Sequence, residues 1–86
     1  MLESAYQKKV IERWEKNGFY VIKLAKTNKN GIPDLLCIKP GEIIFVEVKA
    51  ANGKLSALQK YRISELETKG FKVIVDKYEM DNHTSK

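Results

Sequence analysis

The chain has 86 residues, enough for one small domain that buries only about 60–65% of its unfolded surface, so that dimerisation would add useful apolar burial. A formal net charge of +5 and a pI near 9.4 suit a polyanionic partner, or else simply a soluble basic domain. One cysteine, Cys37, excludes a disulfide framework or thiolate metal cluster within the chain, and no run approaches the ~18 apolar residues of a membrane span or a signal peptide's apolar core, which leaves an intracellular protein as the expectation.

Leu2 to Asn17 reads as a helix with Leu2, Tyr6, Val10, Ile11 and Trp14 on one stripe. At about 100° per residue, Glu3 and Gln7 fall inside the same arc. A carboxylate aimed inward is costly unless paired or bound to metal. Glu3 therefore either faces an acidic cluster elsewhere, or stays wet in the first turn and complements the helix dipole. Asn17-Gly18 stops the helix, and Phe19 to Leu24 forms a first strand. A polar loop, Ala25 to Gly31, carries Lys26 and Lys29. Leu35–Ile38 and Ile43–Val48 then form a hairpin around Pro40-Gly41.

Asn52-Gly53 breaks the chain before a second helix from Ala57 to Lys69. Ser56 and Gln59 fit the capping box S-x-x-Q. Gln59 also falls between Ile63 and Leu66 on the wheel, so its amide can serve the cap, turn inward, or do both. Gly70 ends this helix, and Phe71 to Val75 is the last strand. Residues 1–80 make one domain, and the polar residues 81–86 make a loosely held tail. The predicted order is αβββαβ, an α/β fold: an antiparallel meander, then a crossover helix returning a parallel strand, in one mixed sheet flanked by helices.

Strand alternation puts Glu47 and Lys49 on one face, with Val46 and Val48 on the other. The hairpin brings Asp34 beside them. Two carboxylates, with the Val48 carbonyl as a third oxygen, suit a hard divalent cation such as Mg²⁺. Lys49 is placed to orient the attacking water, help lower its pKa, or offset transition-state charge. This set suits phosphodiester hydrolysis. An isolated E-x-K is a weak signal, but here it adjoins Pro33-Asp34 on the neighbouring strand, with an inward Glu before and an inward Gln after. The only histidine, His83, lies in the tail, which disfavours histidine-based nuclease chemistry. There is no G-x-S-x-G and no P-loop. Lys23, Lys26, Lys29 and Lys54 are candidate phosphate contacts, or otherwise solvated surface.

The set Glu3, Gly31-Ile32-Pro33-Asp34, Glu47-Val48-Lys49 and Gln59 resembles the PD-(D/E)XK nuclease superfamily, in particular the stand-alone, virus-type VRR-NUC domains, over roughly Leu2 to Val75. The resemblance implies a restriction-endonuclease-like core and an Mg²⁺- or Mn²⁺-dependent DNA endonuclease. Asp34, Glu47 and the Val48 carbonyl would bind metal, with Glu3 completing the cluster directly or through water. Lys49 would be the catalytic lysine and Gln59 its assistant. Small members are similar to homodimeric nucleases acting on branched DNA such as four-way (Holliday) junctions, and are often encoded by bacteriophages or mobile elements. Tyr20, Tyr61 and Phe71 are candidates for the dimer interface. The alternative is a non-catalytic DNA-binding module on the same fold.

Overall fold

A computed structural model describes residues 2–79; the expected tail and His83 lie outside the described residues. The elements are α1 (Glu3–Lys16), β1 (Tyr20–Lys23), β2 (Leu35–Lys39), β3 (Glu42–Lys49), α2 (Ala57–Thr68) and β4 (Lys72–Lys77). The sheet order is β1-β2-β3-β4. β1, β2 and β3 run antiparallel in turn, and β4 joins β3 in parallel after the α2 crossover. This is the mixed sheet with two helices that the sequence predicts.

Tyr6 and Val10 stand four residues apart on α1, so they share a face, and both are buried against Leu35, Cys37, Ile44, Val46 and Val48. Ile11 and Trp14 flank this core as expected. Leu2 does not join it. It is the N-cap residue with an extended backbone (φ −68°, ψ 151°), so it falls off the helical wheel and is 76% exposed. Phe19 packs edge-on against Trp14, with centroids 4.9 Å apart, and fixes the entry into β1. Burial pushes the Cys37 thiol up to about 11, which makes it an inert core residue.

β4 runs to Lys77, past the expected end at Val75. Asp76 lies opposite Val48 on the α1 face, where its carboxylate accepts hydrogen bonds from the Tyr6 hydroxyl and, at 2.9 Å, from Arg13. These partners pair the charge that otherwise argues against a strand there. The opposite face of the sheet is covered less completely. α2 crosses it without fully burying any of its own residues. Tyr20, Ile43 and Phe71 remain exposed toward the hairpin-turn end.

Candidate active site

Glu47 points away from Val46 and Val48, toward α2, yet the residue has almost no solvent exposure (1%). Three neighbours surround its carboxylate. Lys49, two residues along on the same face, brings Nζ to 3.4 Å from Oε2. The Gln59 amide nitrogen donates to the same oxygen at 3.3 Å. Asp34 approaches from the start of β2, one residue before the pair Leu35↔Val46. Its Oδ2 accepts from the Val48 backbone N–H at 2.7 Å, which fixes the Asp34 carboxylate at the edge of β3. Burial pushes the Glu47 carboxyl up to about 7; the charge of Asp34 adds to the rise, and the Lys49 ammonium pulls it back.

The carbonyl of Val48 faces the same edge. Adjacent residues of a strand turn their backbone groups to opposite sides. The Lys49 carbonyl accepts from Tyr78 N–H on the β4 side at 2.9 Å, so the Val48 carbonyl is directed to the side of Asp34. Two carboxylates and one carbonyl are hard oxygen donors, and two adjoining carboxylates without a cation repel. The set therefore fits a hard divalent cation that keeps several of its waters. The soft donor Cys37 lies on the other face.

Gln59 does both things open to it. Ser56 Oγ accepts from Gln59 N–H at 3.1 Å and Gln59 Oε1 accepts from Ser56 N–H at 2.9 Å, which completes the capping box. The amide nitrogen is left free for Glu47. The loop before Asp34 is fixed twice against the same helix. Gly31, at φ +81°, lies so close to α2 that a Cβ there would come 2.8 Å from Leu58 Cγ. Arg62 Nε donates to the Asn30 carbonyl at 2.8 Å. Sequence reasoning passed over Arg62, although it lies one helical turn beyond Gln59 and so on the same face.

Lys26, Lys29, Asp34 and Gln59 line one cleft of about 550 Å³. The Thr27 hydroxyl shapes its rim by donating to the Lys29 carbonyl at 2.9 Å and accepting from Lys29 N–H at 3.1 Å. Lys23 is exposed on β1 and Lys54 borders a separate hollow; neither lines this cleft. Glu3 is not brought to the acidic pair. Among the described residues, no three His, Cys, Asp or Glu side chains converge to hold a metal. The reason is topological: α1 packs on the Val46/Val48 face, whereas Glu47 points to the α2 face.

Residues 1–77 match the model of the VRR-NUC domain family. The chain belongs to that family. A solved structure titled VRR_NUC domain is 36% identical to this VRR-NUC domain, with a TM-score of 0.76, covering 87% of this chain and 83% of the other. The chain is also 32% identical over 63 residues to a crossover junction endodeoxyribonuclease of Sulfolobus islandicus rod-shaped virus 1, an alignment covering 71% of this chain. This VRR-NUC domain spans about half the length (52%) of that viral relative.

Proposed function

We propose that this VRR-NUC domain is a divalent-metal-dependent endonuclease that hydrolyses phosphodiester bonds in branched DNA such as four-way junctions. The observation that carries the reading is the buried Glu47 carboxylate held between Lys49 at 3.4 Å and Gln59 at 3.3 Å, with Asp34 converging on the same strand edge. The likeness to a viral crossover junction endodeoxyribonuclease supports the choice of substrate.

In this reading Asp34, Glu47 and the Val48 carbonyl hold Mg²⁺ or Mn²⁺. When bound, such a cation supplies Lewis-acid polarisation of the phosphoryl group and lowers the pKa of a water. The residues divide the remaining work. Val48 N–H keeps Asp34 at its angle. Lys49 stabilises negative charge growing on the reacting phosphate and draws the Glu47 carboxyl back toward its anionic form. Gln59 fixes the Glu47 carboxylate through its amide and thereby positions it. Lys26 and Lys29, on the rim of the Asp34 cleft, bind the incoming phosphate backbone. Glu3 acts at most through solvent.

A four-way junction has twofold pseudosymmetry, so paired cuts require two copies of the site. We assign the dimer contact to the under-covered sheet face around Tyr20, Ile43 and Phe71. Such a protein, phage- or virus-encoded, works inside the host cell where its DNA is.

The test is cleavage of labelled duplex, single-strand, flap, splayed-arm and four-way DNA in Mg²⁺ and in Mn²⁺. Symmetric nicks in the junction are expected, abolished by Asp34→Ala and by Lys49→Ala in folded protein. Full activity in both variants overturns the site, and equal cutting of every substrate overturns the junction preference. Tight binding with no cleavage in either metal identifies a binding module instead.

A further inference from the structure

On the other side of the Glu47–Lys49 row lies a hollow of about 340 Å³ that the proposed reaction does not use. Lys49, Lys54, Lys60 and Lys77 are four of its seven lining residues, and no acidic residue is among them. These lysines come from four separate places: the end of β3, the following loop, the first turn of α2 and the end of β4. The parallel register sets Lys77 directly beside Lys49, on one face. Lys60 follows Gln59, whose amide reaches Glu47. Gly53 makes room in the wall: a Cβ there would stand 3.2 Å from Lys49 Cδ. Of the four, Lys49 is engaged by Glu47, and Lys54, Lys60 and Lys77 have no ion pair among the described residues.

Like charges gathered from four chain segments repel, and an anion seated in the hollow would relieve that repulsion. The sheet order fixes where that anion lies. The cleft with Lys26 and Lys29 adjoins Asp34 at the β2 side, Glu47 and Lys49 stand on β3, and this hollow opens at the β4 side. We propose that Lys54, Lys60 and Lys77 bind a backbone phosphate of the cleaved DNA strand on the far side of the scissile bond from Lys26 and Lys29, so that the strand is held on both flanks of the cut. This rests on the nuclease reading above and extends it to a second phosphate subsite.

The experiment compares Lys60→Gln/Lys77→Gln with Lys8→Gln/Lys16→Gln, an equal loss of charge on exposed positions of α1. DNA affinity is read by fluorescence anisotropy over a salt series, and cleavage at saturating enzyme in Mg²⁺. The hollow variant is expected to bind at least about tenfold more weakly than the control, with a salt slope shallower by about 1–2. Its saturated cleavage rate stays near wild type. Methylphosphonates placed one at a time along the cleaved strand provide the positional readout. The wild type is expected to lose affinity at a phosphate on each flank of the nick, and the hollow variant to become insensitive on one flank only. If wild type cuts but the two double variants behave alike, or the methylphosphonate pattern is unchanged, the subsite is wrong and the nuclease reading stands. If wild type neither binds nor cuts DNA, both fall.

Discussion

Replacing Glu47 by glutamine separates what this residue costs the fold from what it contributes to function. The glutamine keeps the shape and can still accept from Gln59 and Lys49, but it does not ionise. The Glu47 carboxyl is pushed from 4.5 up to about 7, first by burial and then by the charge of Asp34. The folded protein therefore binds this proton more tightly than the unfolded chain does. Its contribution to stability is complete below about pH 4.5 and is lost as the pH rises through about 7. At about 1.4 kcal/mol per pKa unit the loss has an upper limit of roughly 3.5 kcal/mol. The variant escapes that loss, and because the value of about 7 already includes the opposing pull of Lys49, a net gain of about 2–3 kcal/mol is expected at pH 8 in EDTA. Near pH 4.5 the gain vanishes. Urea denaturation of both proteins at pH 5 and pH 8 measures it directly. Millimolar Mn²⁺ at pH 8 is expected to restore the wild type by about 1.4 kcal/mol or more once the metal exceeds its Kd about tenfold, and to leave the variant unchanged. A variant no more stable than wild type at pH 8, or a difference independent of pH, would refute the account of a buried, crowded carboxylate.

Other consequences follow from the supports of the site. Gly31→Ala meets both a left-handed backbone and Leu58, whereas Gly70→Ala meets the backbone alone, since nothing lies within 4 Å of its Cβ position. We expect a cost of about 1 kcal/mol at Gly70 and about 2–4 kcal/mol at Gly31, by urea denaturation; equal costs would remove Leu58 from the argument. Ser56→Ala removes one half of the capping box and is expected to cost about 1 kcal/mol, with a fall in cleavage rate larger than the lost folded fraction explains. Ile43→Glu/Phe71→Glu is expected to convert a dimer into a monomer in sedimentation equilibrium; an unchanged mass would move the interface elsewhere.

The hairpin and the placement of its charged residues are legible because they depend on short-range rules. Alternation alone puts Glu47 and Lys49 on one face, and the register of the hairpin, with Asp34 one residue before the pair Leu35↔Val46, brings Asp34 to the same edge. The capping box is likewise local, with both halves within three residues. What escaped depends on distant partners. The end of β4 contains Asp76, which is tolerable in a strand only because Tyr6 and Arg13, 70 and 63 residues away, receive it. Whether Glu3 on α1 meets a pair carried by β2 and β3 depends on how the helix packs on the sheet, which no local pattern encodes. The sequence offers Lys54 as a phosphate contact together with Lys26 and Lys29, whereas the fold sets it beside Lys60 and Lys77.

One side-chain amide joins two tasks. Because Gln59 both begins α2 and restrains Glu47, fraying at the start of that helix disarms the acid before the sheet itself yields. α2 has no fully buried residue to resist such fraying. Warming this protein should therefore silence it while its hydrophobic core is still assembled, and cooling should rearm it without refolding the chain.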